Sequence, residues 1–204
     1  MKLRSRTFLV LLILTVFLTA CRKDHVPPHT IVQGKVLEYG SNQPLANKQV
    51  IIGRRDAGFG PGNYATVAVL NSDAGGNYYY EFDGVDNSIY VVACTSVSPY
   101  SASEYYTITV GQLNPINIIL SPPGWIKLHV ENVQQQYDQI ILGGNIVPNV
   151  YFSGVQVDST MILQFNGNAN INIYWRMSNS TIINDTTVNI YIPSFDTISY
   201  NISY

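Results

Sequence analysis

Apolar and polar residues alternate with a period of two along most of the chain after residue 30. The alternation is clearest from Trp125 onward, where Ile126, Leu128 and Val130 lie between polar residues, and it recurs over residues 161–165, 171–177, 188–192 and 198–202. A period of two places one face of each strand in a core and leaves the other in water. The pattern therefore predicts half-buried β-strands throughout the second half of the chain.

The first half also consists of short β-rich runs, separated by turn residues. These runs cover residues 31–37, 49–53, 64–71, 77–82, 88–95, 105–110 and 116–120. The segment Ser121-Pro122-Pro123-Gly124 interrupts strand pairing and marks a domain boundary. We therefore predict an all-β protein with two small antiparallel β-sandwich domains, over residues 30–121 and 125–204, the second being immunoglobulin-like.

The N-terminus has the order of features of a bacterial export signal. Three basic residues precede an apolar run over residues 8–18, which is too short to span a membrane. The run ends in Leu18-Thr19-Ala20-Cys21, which resembles the lipobox of bacterial lipoproteins. The resemblance implies a signal peptide over residues 1–20, lipidation of Cys21 and a lipid-anchored tether over residues 21–29. An ordinary secretory peptide with a chance cysteine is the alternative.

The resemblance also implies a location. A lipid anchor of this kind tethers the chain to the membrane, and we expect the outer membrane of a Gram-negative bacterium. The charged stretch Arg22-Lys23-Asp24-His25 resembles the short signals that send lipoproteins to the outer face, although it has one acidic residue where those signals favour two. Surface exposure is the expectation, and retention in the periplasm is the alternative.

Three segments of the first predicted sandwich carry a family resemblance. They are residues 33–37, residues 43–52, and the stretch Asn71-Ser72-Asp73-Ala74-Gly75-Gly76-Asn77-Tyr78-Tyr79-Tyr80-Glu81-Phe82. Together they resemble the carboxypeptidase-regulatory-like, transthyretin-like module, with Ser72 where threonine is usual. The resemblance implies a transthyretin-like sandwich in a non-catalytic stalk or accessory module.

Charge and chemistry exclude several classes of function. The 204 residues include 11 basic and 13 acidic side chains, a net charge of −2, and no basic stripe that could neutralise nucleic-acid phosphates. The three histidines are His25, His29 and His129, and the sequence contains no nucleophile elbow, zinc-protease helix or phosphate-binding loop. We therefore expect no enzyme, no cofactor, no metal and no nucleic-acid partner. Cys94 lies in an apolar run and is expected to be a buried, inert thiol.

Exposed tyrosines are the candidate ligand contacts. Tyr79, Tyr100, Tyr105 and Tyr106 lie in two clusters, and exposed tyrosines can stack on sugar rings or anchor a protein partner. Core packing of aromatic residues is the alternative.

Three tripeptides resemble the O-glycosylation acceptors of some Gram-negative bacteria. Each begins with aspartate, and the acceptors are Ser159, Thr186 and Thr197. Chance occurrence in a threonine-rich β-protein is the alternative.

Three functions follow, in order of preference. The first is a non-enzymatic, outer-membrane-anchored lipoprotein that serves as a binding or scaffolding module at the cell surface, as an accessory to glycan or nutrient uptake. The second is a pilin-like subunit that assembles by strand exchange, with the terminal strand Phe195–Tyr204 as the donor. A hydrolase that uses surface carboxylates comes last.

Overall fold

The computed structural model describes residues 27–56, 64–85, 87–95, 98–101 and 104–204. The lipobox and Cys21 lie outside these residues. The described chain forms fifteen β-strands: β1 His29–Glu38, β2 Gln49–Asp56, β3 Ala65–Asn71, β4 Asn77–Asp83, β5 Ser88–Cys94, β6 Tyr106–Ile108, β7 Leu113–Pro115, β8 Ile118–Leu120, β9 Pro123–Glu131, β10 Gln139–Gly144, β11 Val150–Ser153, β12 Asp158–Asn166, β13 Ala169–Ser178, β14 Ile183–Ile192 and β15 Thr197–Ser203.

The first eight strands form two facing sheets. One sheet has the order β4-β1-β7, and β8 pairs with the part of β1 that follows the part paired with β7. The other sheet has the order β3-β2-β5-β6. β1 runs antiparallel to β4 and parallel to both β7 and β8. The prediction of an all-β sandwich fold is confirmed.

The last seven strands repeat this arrangement. Their sheets have the orders β12-β9-β15 and β11-β10-β13-β14, with β9 antiparallel to β12 and parallel to β15. In an immunoglobulin sandwich the first two strands share one sheet. Here β9 and β10 lie in different sheets, which differs from the immunoglobulin strand order. The second sandwich instead has the strand order of the first.

Each pair of sheets encloses its own hydrophobic core. The buried side chains of one cluster come from residues 32–120 of the sequence, and those of the other come from residues 126–204. The inward residues of the central strands are Val32 and Val36 in β1, and Ile126, Leu128 and Val130 in β9, all of them fully buried. The alternation seen in the sequence therefore produces two separate cores. The predicted domain limits at residues 121 and 125 stay a prediction.

Candidate functional site

A groove lies on the outer face of the β4-β1-β7 sheet, beside the exposed ring of Tyr79. Its volume is about 560 Å³, and its lining residues are Gln33, Gly34, Lys35, Asp73, Asn77, Tyr78, Tyr79, Pro115 and Asn117. Tyr79 is 53% exposed, whereas its neighbour Tyr78 is 4% exposed. Successive side chains of a strand point to opposite faces, which explains why β4 contributes one tyrosine to the core and one to this Tyr79 groove.

The groove is located where the last strand of the first sandwich is broken. β7 ends at Pro115 and β8 begins at Ile118. Between them the Ile116 carbonyl oxygen lies so close to β1 that a Cβ on Gly34 would be 1.7 Å from this oxygen. The Tyr78 hydroxyl donates a 2.7 Å hydrogen bond to the same oxygen, and the Lys35 amide donates to the Asn117 side chain at 3.0 Å. Glycine at position 34 is therefore required for the close approach that shapes the groove.

A fixed carboxylate lies at one end of the groove. Asp73 Oδ1 accepts hydrogen bonds from the backbone amides of Gly75 and Asn77 at 2.8 and 2.7 Å. The Asn77 side-chain amide donates to both carboxylate oxygens of Asp73. The hydrogen bonds from Asn77 are the main reason why the pKa of Asp73 lies below its usual value. The turn thus holds a negative charge in place.

Tyr79 is also held by a hydrogen bond. Its hydroxyl donates to Glu81 Oε2 at 2.6 Å, and this bond is the main reason why the pKa of Tyr79 is raised. The exposed ring and the surrounding amide and charged groups can stack on and hydrogen-bond to a polar ligand. The Tyr79 groove is therefore suited to binding a polar ligand.

The other three predicted tyrosines do not join Tyr79. Tyr106 lies in β6, in the opposite sheet, and is half-buried against the core. Tyr105 is 60% exposed and stacks on Tyr64, with ring centroids 5.4 Å apart. Tyr100 lies at the contact between the two sandwiches. The structure therefore places each of these four residues in a different environment.

Tyr100 belongs to a polar contact between the sandwiches that the sequence analysis did not anticipate. Glu38, at the end of β1, is 9% exposed. Its Oε2 accepts a hydrogen bond from the Tyr100 hydroxyl at 2.9 Å, and its Oε1 accepts from Ser41 at 2.8 Å and from the Asn168 side-chain amide at 3.0 Å. We call these four residues the junction. Three donors thus satisfy a carboxylate that is nearly removed from water.

Contacts around the junction are tight. A Cβ on Gly40 would lie 2.5 Å from the Asn168 Cβ, so the two turns touch at van der Waals distance only because position 40 is glycine. The Asn168 side-chain amide also donates to the Tyr39 carbonyl at 3.0 Å. The Tyr100 ring meets Phe195 edge-on, with centroids 5.4 Å apart. Turns from both sandwiches therefore interlock.

The connecting residues are hydrogen-bonded as well. Only Ser121 and Pro122 separate β8 from β9. The Pro122 carbonyl accepts from the Gly167 amide at 2.7 Å, and the Ser121 carbonyl accepts from the Ser101 amide at 3.0 Å. Both carbonyl groups of this short link are thereby fixed.

The remaining predicted sites lie apart from the groove and the junction. Thr186 in β14 and Thr197 in β15 are exposed, and Ser159 in β12 is half-buried. Cys94 is buried, and burial raises the pKa of its thiol to about 11, as expected of an inert cysteine.

Within the described residues, no three His, Cys, Asp or Glu side chains cluster in a way that could hold a metal ion. The part of the chain that the structure describes contains no helix long and apolar enough to span a membrane.

No family model matches the chain, and no curated protein matches it. The solved structures similar to it include the shaft pilin SpaA from Lactobacillus rhamnosus GG, which is 7% identical, with 86% of this chain and 98% of that chain covered and a TM-score of 0.38. The minor pilin GBS52 from Streptococcus agalactiae is also 7% identical, with 85% and 94% covered and a TM-score of 0.37. A leucine-rich repeat protein from Bacteroides thetaiotaomicron is 9% identical, with 87% and 26% covered and a TM-score of 0.27. Because all three TM-scores are below 0.5, none of these likenesses bears on the function of this chain.

Proposed function

We propose that the protein is a non-enzymatic scaffolding module, anchored through Cys21 at the surface of a Gram-negative outer membrane. The observation that carries this proposal is the junction, in which Glu38 of the first sandwich is hydrogen-bonded to Asn168 of the second. A scaffold has to hold its parts at a defined spacing, and a satisfied, nearly buried carboxylate holds two turns more firmly than exposed ion pairs do. The fixed two-residue link supports the same conclusion.

The junction can be tested by the tumbling of the two sandwiches in solution. Backbone ¹⁵N relaxation of the full chain carrying Cys21→Ala is expected to give one rotational correlation time for strands β1–β8 and β9–β15. The double variant Glu38→Ala, Asn168→Ala is expected to give two shorter, unequal values. Glu81→Ala, an exposed glutamate outside the junction, is the matched control and should leave the single value unchanged. Two correlation times without the junction substitutions would refute the rigid scaffold.

The location needs a separate experiment. Protease added to intact cells is expected to degrade the protein, and Cys21→Ala is expected to release it from the membrane fraction. Release supports the anchor, and protection from protease with the anchor intact would place the protein in the periplasm instead.

A pilin-like subunit is the second candidate, and the position of β15 favours it. Among the described strands β15 lies at the edge of its sheet and pairs only with β9, while Ile198, Tyr200 and Ile202 contribute to the core of the second sandwich. An edge strand with a full set of core side chains is what strand exchange requires.

Locking β15 in place tests this candidate. Ser199 and Lys127 are register partners on β15 and β9, so cysteines at both positions can join the two strands covalently. If assembly occurs by strand exchange, concentrated protein forms polymers that disappear in the oxidised Ser199→Cys, Lys127→Cys variant and return on reduction. A strictly monomeric parent protein, or polymers that persist in the oxidised variant, would exclude the mechanism.

A further inference from the structure

The broad sheet β11-β10-β13-β14 exposes a row of three tyrosines on its outer face. Tyr151 of β11 and Tyr191 of β14 are 67% and 54% exposed, and Tyr174 of β13 is half-buried. On β13 the neighbouring residues Ile173 and Trp175 are buried in the core, which places Tyr174 on the solvent side. We call Tyr151, Tyr174 and Tyr191 the tyrosine row.

The strand register shows that the row runs diagonally across all four strands. Tyr151 is level with Ile141 of β10, which is level with Arg176 of β13, two residues beyond Tyr174. Tyr191 is level with Asn170, four residues before Tyr174. With strands ~4.8 Å apart and a rise of ~3.4 Å per residue, the Cα atoms are roughly 12 and 14 Å apart and the whole row is about 25 Å long.

Hydrogen bonds fix the side chains between and beside the rings. The Tyr174 hydroxyl donates to Asp185 Oδ1 at 2.9 Å. Asn189 donates to Asn172 Oδ1 at 2.8 Å, and this amide pair lies between Tyr174 and Tyr191. The Tyr191 hydroxyl faces Asn168 Oδ1 at 3.3 Å. A surface that is ordered before binding loses less side-chain entropy when a ligand arrives.

The four strands carry almost no net charge. Their only charged residues are Arg176 and Asp185. The Arg176 guanidinium donates to both oxygens of Asp185, at 2.8 and 2.9 Å, and this pairing lowers the pKa of Asp185 to about 2. Each charge is therefore neutralised by the other, and the rest of the surface consists of rings, amides, hydroxyls and the aliphatic side chains of Ile141 and Ile183.

We propose that the tyrosine row binds an extended, neutral polysaccharide. Sugar rings present apolar faces that stack on tyrosines and hydroxyl groups that pair with asparagine amides, and the row offers both along a line. An anionic polysaccharide finds the one guanidinium already occupied by a carboxylate. The Tyr79 groove is the contrasting surface, because Lys35, Asp73 and Glu81 surround its single exposed ring. This ligand site goes beyond the scaffolding role, and it touches the junction only through the hydrogen bond from the Tyr191 hydroxyl to Asn168.

Affinity electrophoresis of the full chain carrying Cys21→Ala tests the proposal. Xyloglucan, mixed-linkage β-glucan and galactomannan are the neutral probes, and alginate is the anionic probe. At least one neutral probe is expected to slow migration, and the double variant Tyr151→Ala, Tyr191→Ala is expected to weaken that binding at least tenfold. Both rings are exposed, so we expect the variant to keep its thermal unfolding midpoint.

Tyr79→Ala, Tyr105→Ala is the matched control, because it also removes two exposed rings but leaves the row intact. It should bind as the parent protein does. The proposal is overturned if no neutral probe slows the parent protein, if alginate alone does so, or if the control variant loses binding while the row variant keeps it.

Discussion

The two sandwiches share one strand order but differ in how their last strand closes the sheet. In the first, the strand that runs parallel to β1 is broken into β7 and β8, and the Tyr79 groove occupies the break. In the second, β15 pairs with β9 without interruption from Thr197 to Ser203. The inward position in the middle of the central strand is Gly34 in the first sandwich and Leu128 in the second. In the first sandwich the broken strand therefore approaches β1 where β1 has no side chain, whereas in the second the unbroken β15 lies beside the buried Leu128.

The four-stranded sheets β3-β2-β5-β6 and β11-β10-β13-β14 also differ, and here the second sandwich has the distinctive outer surface. In the first sandwich β6 is three residues long, whereas the corresponding β14 is ten residues long and matches the full length of β13. The long strands give the second sandwich the broad outer face that carries the tyrosine row. Each sandwich thus has a distinct surface on a different sheet.

Replacing Leu128 should give the largest effect, since it removes the side chain on which the continuous core depends. Leu128 is fully buried and lies level with Met161 and Tyr200 on its two neighbours. We expect Leu128→Ala to lower the free energy of unfolding by about 2–5 kcal/mol, because it leaves a cavity. Urea unfolding measures this loss. Ile162→Ala, on the exposed face of β12, should change it by less than about 0.5 kcal/mol, and equal losses would contradict the assignment of Leu128 to the core.

Adding a methyl group at Gly34 should have the next largest effect. Because the new Cβ would overlap the Ile116 carbonyl, the chain between β7 and β8 has to move away from β1. We expect Gly34→Ala to destabilise the protein by about 1–3 kcal/mol, as overpacking does, and to change the amide resonances of Lys35 and Asn117. Chemical denaturation and NMR are the measurements. Gly75→Ala, whose Cβ meets a side-chain end, is the control, and a neutral Gly34→Ala would show that the break does not need glycine.

Removing the Tyr100 hydroxyl should have the smallest effect. Tyr100→Phe keeps the ring against Phe195 but takes one donor from Glu38, so we expect the free energy of unfolding to fall by about 1 kcal/mol at pH 7.

Burial, followed by the hydrogen bond to Glu38, raises the pKa of Tyr100 from 10 to about 12. The folded state therefore holds this proton more tightly than the unfolded state. The stability it contributes is complete below pH 10 and is lost as the pH rises toward 12.

Denaturant unfolding between pH 7 and pH 11 checks this expectation. The parent protein should lose stability more steeply above pH 10 than Tyr100→Phe does. Identical alkaline slopes would show that the Tyr100 proton is not linked to folding.

The sequence predicts the strands much better than it predicts the sites. Alternation around Met161, Leu163 and Phe165 identifies β12, and alternation in Tyr78-Tyr79-Tyr80 implies that Tyr79 faces away from its neighbours. A period of two specifies which face of a strand is buried but not which strand lies beside it. For that reason the shared strand order of the two sandwiches became evident only in the structure.

The junction and the tyrosine row have no local signal. Glu38 and Asn168 are 130 residues apart, and nothing near either residue indicates the other. The tyrosine row depends on three separate strand registers: two of them together set the level of Tyr151 relative to Tyr174, and the third sets the level of Tyr191. Ile116 and Gly34 likewise meet only through a parallel pairing of distant strands. Contacts of this kind are set by tertiary structure rather than by propensity.

The parallel pairing of first and last strands determines how each sandwich responds to a pulling force. Because β1 runs parallel to β7 and β8, and β9 to β15, the chain enters each sandwich at one end and leaves at the other. Tension along the chain therefore pulls the two strands past each other, and all the hydrogen bonds between them are loaded in shear at once. In a hairpin pulled open from its ends, the bonds would break one at a time. Sandwiches built this way resist stretching along the chain.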